Sequence, residues 1–288
     1  IDYRFPHYIS DDSILVAKRS NREINSFYIL TGNRETKVRV KDVVIDDYYS
    51  YKNGRVVYAA YQSDPRWGNR DYSVIKLLDI YSGQQKQLTH QTKYFSPEIS
   101  TDGNEILAVS VNTDGTNNLH RINAQTGALV LKLPNAHNYF FTQTKYINSN
   151  TAVSAVRNPE GNMVLVTVNL TTGATYNLIP FSFNVIGYPF IKGDTIYFTA
   201  MHKNADKIFA VTLSDKKIFQ LTDNSNGVYH PAVNSKGGLL VSAFTAGGYM
   251  LAEINLSKTD WKEINTADFL IGDKTYFADS LLNLSGAS

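Results

Sequence analysis

The chain has 288 residues, with 28 basic against 26 acidic side chains, no cysteine, 43% hydrophobic and 12% aromatic content. That composition excludes an intrinsically disordered chain, disulfides, thiolate catalysis and Cys-based zinc sites, and a net charge of +2 without long basic runs argues against nucleic acid as a partner. No stretch approaches about 18 consecutive apolar residues, so no membrane-spanning helix is expected.

From the N-terminus onward one pattern returns six times: an alternating apolar strand, a polar turn usually containing Gly, then a second strand. It reads Tyr28-Ile29-Leu30-Thr31-Gly32, Leu78-Asp79-Ile80-Tyr81-Ser82-Gly83, Ile122-Asn123-Ala124-Gln125-Thr126-Gly127, Val168-Asn169-Leu170-Thr171-Thr172-Gly173, Val211-Thr212-Leu213-Ser214-Asp215 and Ile254-Asn255-Leu256-Ser257-Lys258. The spacing of about 45 residues is the period of propeller blades. It predicts an all-β fold, a six-bladed β-propeller of four-stranded antiparallel blades, as one domain over 1–288. The blades fall at about 5–42, 46–92, 95–138, 141–184, 187–227 and 229–267, leaving 271–288 as a closing segment or linker.

Within each unit the second strand is the clearest: Ile14–Ala17, Val56–Ala59, Ile106–Val109, Ala152–Ala155, Ile196–Thr199 and Leu239–Ser242. Short apolar runs of this kind suit strands buried between blades. A polar hairpin turn precedes each, as in Lys52-Asn53-Gly54-Arg55 and Thr101-Asp102-Gly103-Asn104, where Asn-Gly and Asp-Gly supply the positive φ that primed turns need.

The third unit carries a recognisable blade: Pro97-Glu98-Ile99-Ser100-Thr101-Asp102-Gly103-Asn104-Glu105-Ile106-Leu107-Ala108-Val109-Ser110, then Asp114-Gly115, Asn118-Leu119 and Thr126-Gly127. It resembles the blade consensus of TolB-type, WD-repeat-like propellers, with Thr101 where that family usually has Pro. The other units match through Pro6, Pro189, Pro231 and the apolar second strand. The leading reading is a noncatalytic module that binds a protein or peptide, with a spacer between other domains as a structural alternative, and the resemblance implies a propeller excised from a larger bacterial envelope protein, in the periplasm or at the cell surface. It also leaves two enzyme-linked alternatives: the gating, noncatalytic propeller of a prolyl oligopeptidase-like hydrolase, or a metal-dependent glycan lyase.

In a four-stranded meander the turns between strands two and three share a face with the blade-to-blade connections, which makes that face the expected binding surface. Three features fall there or in the channel. The loop Tyr61–Tyr72 carries Arg66, Trp67 and Arg70, types enriched at binding hot spots, with local packing of Trp67 and pairing of the arginines to Asp64 and Asp71 as the alternative. Aromatics at blade entries, Tyr48-Tyr49, Tyr94, Tyr139, Tyr188 and Tyr229, would ring the channel mouth, or simply pack neighbouring blades. His7 and Glu98, with Phe190, Ala232, Gln143 and Lys145 at equivalent places, follow the entry Pro and point toward the channel.

Catalytic signatures such as Gly-x-Ser-x-Gly, His-Glu-x-x-His or a Walker glycine loop are missing, so no catalytic residue, metal site or cofactor is assigned. His90, His137 and His230 lie near blade entries and would converge only if the lyase alternative held. Asn112–Asn117 is read as a hairpin turn rather than a calcium loop.

Overall fold

The computed structural model describes residues 1–202, 205–223, 226–255 and 261–270. The closing segment 271–288 and the Leu256-Ser257-Lys258 part of the sixth repeated phrase lie outside these described residues.

Six antiparallel meanders stand around one axis. Blade one is β1 (Asp2–Ser10), β2 (Ser13–Ser20), β3 (Glu23–Thr31) and β4 (Arg34–Val40); blade two is β5 (Tyr49–Lys52), β6 (Arg55–Ser63), β7 (Asp71–Asp79) and β8 (Gln85–Gln87). Blade three is β9 (Tyr94–Ile99), β10 (Glu105–Val111), β11 (Asn117–Asn123) and β12 (Leu129–Lys132); blade four is β13 (Phe140–Tyr146), β14 (Thr151–Arg157), β15 (Met163–Asn169) and β16 (Thr175–Asn177). Blade five is β17 (Ile186–Lys192), β18 (Thr195–His202), β19 (Ala205–Thr212) and β20 (Ile218–Gln220), and blade six is β21 (Val228–Val233), β22 (Gly238–Thr245) and β23 (Gly248–Asn255). Each predicted second strand lies inside the second strand of its blade. The chain is a six-bladed β-propeller.

One strand goes elsewhere than its spacing suggests. β24 (Lys262–Ile264) adds to the outer edge of β20, making blade five five-stranded and leaving blade six with three strands among the described residues. Aromatic burial explains the choice. Trp261 meets Tyr197 and Phe219 at ring-centroid distances of 6.1 and 5.4 Å, and the helix α1 (Thr266–Leu270) drives Phe269, fully buried, against Phe198 and Phe209.

The repeated phrase has a packing role as well as a turn role. A Cβ on Gly127, at φ +75°, would stand 1.8 Å from the Leu88 carbonyl oxygen of the preceding blade; one on Gly173, at φ +74°, would stand 2.3 Å from the Pro134 oxygen. Only glycine satisfies both the left-handed turn and this approach.

The innermost strands share a distortion. Phe5, Ser96, Gln143, Tyr188 and His230 have φ between 45° and 56°, each at a register shift in the first strand of its blade. These are β-bulges that re-aim side chains toward the axis.

Candidate functional site: a sealed axis and an apolar entry face

The five bulges, with Tyr48 at the unbulged entry of blade two, bring side chains of all six blades into one closed circuit. His230 Nδ1 accepts from the Phe5 N–H at 3.5 Å, and the two rings lie 4.0 Å apart. Phe5 packs edge-on against Tyr48 at 5.8 Å, and the Tyr48 hydroxyl donates to Glu98 Oε2 at 3.0 Å. Lys145 Nζ donates to the same oxygen at 2.8 Å. Gln143, on the strand of Lys145, accepts the Tyr188 N–H at 2.7 Å, and Tyr188 meets His230 edge-on at 4.4 Å. Phe5 and Tyr188 also touch across the axis at 5.6 Å. The hollow left among these groups is about 30 Å³, too small for a peptide.

Burial governs the electrostatics here. Desolvation, aided by the Lys145 ammonium, pushes the His7 imidazole down to about 3, and burial with Arg4 and His7 nearby holds His230 far below its usual range. Both rings are therefore neutral at physiological pH. Burial raises the Glu98 carboxyl in spite of the opposing pull of Lys145 and Tyr48. Beyond His7 the axis widens into a cup of about 400 Å³ on the hairpin-turn face, lined by Tyr8, Tyr51, Lys52, Tyr81 and Phe190.

The sequence candidates thus divide into three groups. His7, Glu98 and Tyr188 meet along the axis, joined by Lys145 and Tyr48. Arg66, Trp67 and Arg70 share one short turn between β6 and β7, since Tyr61–Ser63 and Asp71–Tyr72 are strand rather than loop. Asp64 organises that turn by accepting the Arg66 and Trp67 N–H groups at 2.8 and 3.1 Å and the Tyr72 hydroxyl at 2.8 Å, while Asp71 pairs with Lys93. Neither arginine forms an ion pair within 4 Å there, although Arg70 is near enough to help lower the Asp64 carboxyl, and Trp67 is 56% exposed with Arg66 stacked 5.4 Å from its ring. Tyr94, Tyr139 and Tyr229 stay within their own surroundings: Tyr94 is buried on His120, Tyr139 stacks on His137, and the Tyr229 hydroxyl donates to Asp206 at 2.5 Å. His90, at a third place, contacts Gln87.

The distribution of exposed apolar side chains was not legible in the sequence. At the blade-entry face stand Val43 and Ile45 in one connection, Phe183 and Val185 in another, and Tyr61, Phe140, Met201, Phe244 and Met250 at adjoining strand ends. Val43 and Phe183 are 73% and 72% exposed, and the backbone bonds Tyr61 N–H to Val43 O and Met201 N–H to Val185 O fix each connection beside a second strand. Away from that face the exposed apolar residues include Tyr81 at an opposite turn, Leu129 and Val130 at the start of β12, and Tyr176 on the outer strand β16. An apolar series on one face of a rigid disc marks an interaction surface.

These features define a six-bladed propeller of TolB-type fold whose axis is filled by side chains and whose entry face carries exposed apolar residues. Neither a protein-family model nor a curated protein sequence matches the chain. Solved structures do. TolB from Acinetobacter baumannii superposes with a TM-score of 0.61 at 13% identity, over 80% of this chain and 57% of that one. The β-propeller domain of the Trilobed protease from Pyrococcus furiosus, described as having an open velcro topology, gives 0.58 at 9% identity over 92% and 97%. A puromycin hydrolase gives 0.63 at 10% identity over 91% and 53%. The chain spans a little over half the length of the TolB and hydrolase chains, and at these identities the likeness is one of fold. No helix among the described residues is long and apolar enough to cross a membrane.

Proposed function

We propose that this chain is a noncatalytic module that binds a protein or peptide across its blade-entry face, within a bacterial envelope protein of the periplasm or cell surface. The observation that carries the reading is the concentration of exposed apolar side chains on that face, from Val43 and Trp67 round to Phe183 and Phe244. The sealed axis supports it, because a ligand cannot pass through and must be met on a face. The envelope setting rests on the similarity to TolB.

A second reading, an accessory propeller of a peptidase-like hydrolase, is favoured by one feature. Among the described residues no strand is shared between blades one and six, and an open velcro topology is described for the propeller domain of the Trilobed protease. The axial circuit weighs against substrate threading in this chain.

The test is capture from bacterial envelope extract by the folded chain and by a Trp67→Ala, Phe183→Ser, Val185→Ser variant. The proposal expects a partner retained by the native chain and lost by the variant. Equal capture by both proteins would remove the entry face from the account.

A further inference from the structure

The wedge between blades three and four remains open at the entry face. Strand register sets Phe140 opposite Arg157, and Arg157 opposite Met163, so the three side chains form a row across β13, β14 and β15. Facing them, the turn between β10 and β11 offers Gly115, where a Cβ would meet nothing within 4 Å, and the start of β11 the buried Asn117. With Asn138 and Pro159 at its rim the groove measures about 510 Å³.

The groove is held rigidly. Asn117 Oδ1 accepts the Phe141 N–H at 3.3 Å, Asn135 Nδ2 donates to the Asn117 carbonyl at 2.8 Å, and the Thr142 hydroxyl donates to Ala155 O at 2.9 Å. Arg157, by contrast, is exposed, and its side-chain bond is a long donation from Nη2 to the Met163 sulfur at 3.7 Å, a weak acceptor. Its guanidinium therefore keeps most of its donors for something else, beside a Phe140 ring that is itself exposed. A guanidinium fork in a preformed groove is the complement of a carboxylate, and an adjacent exposed ring adds an apolar neighbour.

We propose that this groove is a subsite for an acidic side chain flanked by apolar residues in the segment that binds the entry face. The inference rests on the binding reading above and names the chemistry of its partner. An acidic side chain fits better than a chain-terminal carboxylate, because termini are commonly held by nests of backbone N–H groups, whereas this groove presents a guanidinium and carboxamides.

Titration with the acetylated, amidated peptide Gly-Leu-Glu-Leu-Gly and its Glu-to-Gln counterpart tests it, using native, Arg157→Gln and Arg157→Lys chains. The Glu peptide should bind the native chain about tenfold more tightly than the Gln peptide. Arg157→Gln should abolish that preference and Arg157→Lys retain part of it. No binding of the Glu peptide up to about 10 mM, equal binding of both peptides, or an unchanged preference in Arg157→Gln would overturn the subsite. So would tighter binding of the Gln peptide once its C-terminus is left free. Partner capture by Arg157→Gln separates the two claims: capture at native strength defeats the subsite and leaves the entry-face reading standing, whereas a native chain that captures nothing defeats that reading.

Discussion

Lys41 is 4% exposed, with Phe27, Tyr49 and Tyr58 ring centroids 5.7 to 5.8 Å from its ammonium and the Asp47 carbonyl accepting its hydrogen bond at 2.5 Å. Burial lowers its pKa from 10.5 to about 8, against the pull of Asp47 and Asp46 and with Arg19 and Arg4 adding to the depression. Between pH 8 and 10.5 the unfolded chain then binds more protons at this site than the folded one, so stability attributable to Lys41 rises with pH across that window. It is lost as pH falls through 8, for a total of about 3 kcal/mol. Denaturant unfolding from pH 7.5 to 9.5 should show this rise in the native chain and a flatter profile in Lys41→Met; parallel profiles would refute it. The Glu98–Lys145 pair makes a second prediction. Lys145→Met strands a buried carboxylate and should cost about 3 to 5 kcal/mol, while the double change Lys145→Met, Glu98→Leu should recover much of that loss. Neither environment is readable from sequence. Lys41 takes a charged place in the alternating run Val38-Arg39-Val40-Lys41, and Glu98 was legible only as a channel-facing position, because its partners arrive from blades two and four.

At the scale of elements, strands and turns were legible because their signals are local: alternation of period two, and glycine where φ must be positive. What the glycine of the repeated phrase also does, allowing contact with the previous blade, needs the three-dimensional stack. Gly127→Ala should therefore destabilise far beyond the cost of strain at φ +75°, since the Leu88 carbonyl must move. A thermal melt showing a loss comparable to that of Gly115→Ala, whose Cβ would enter open space, would contradict this. The inner bulges were hidden for a different reason. Ser96, Gln143, Tyr188 and His230 are not residues that announce a left-handed backbone, and tertiary packing imposes it. The placement of β24 likewise overrides sequence spacing, since Trp261 and Phe269 find aromatic partners on blade five. Phe269→Ala should cost about 3 to 5 kcal/mol in denaturant unfolding; a loss below about 1 kcal/mol would show that α1 contributes little to holding β24.

For the whole molecule, the ring has a seam. Among the described residues, apolar clusters join blade one to two, two to three, three through four to five, and five to six, but none of them bridges six to one. There, beside the Phe5–His230 ring contact on the axis, the contacts are polar: Tyr249 N–H donates to Asp2 Oδ1 at 3.0 Å and Ser235 Oγ to Asp11 Oδ1 at 2.6 Å, while the Arg4 guanidinium lies 4.2 Å from the Tyr249 ring. Asp2→Ala should accordingly raise amide exchange in β1 and β23 more than in β10 or β14. Uniform acceleration would mean that the disc opens as one unit. Six-fold repetition made the closed disc legible from the sequence, yet not which face is apolar, because Phe183 and Val185 lie in a connection where sequence alone does not distinguish inward from outward.

The central claim is that a partner is met on the entry face while the axis stays shut. Amide exchange of the native chain, free and with its captured partner, tests this most directly. The account predicts protection confined to the connections at 43–45 and 183–185, the turn at 64–70 and the ends of β13 and β22, with the inner strands unchanged. Protection centred instead on His7, Tyr51 and Phe190, at the hairpin-turn cup, would contradict it.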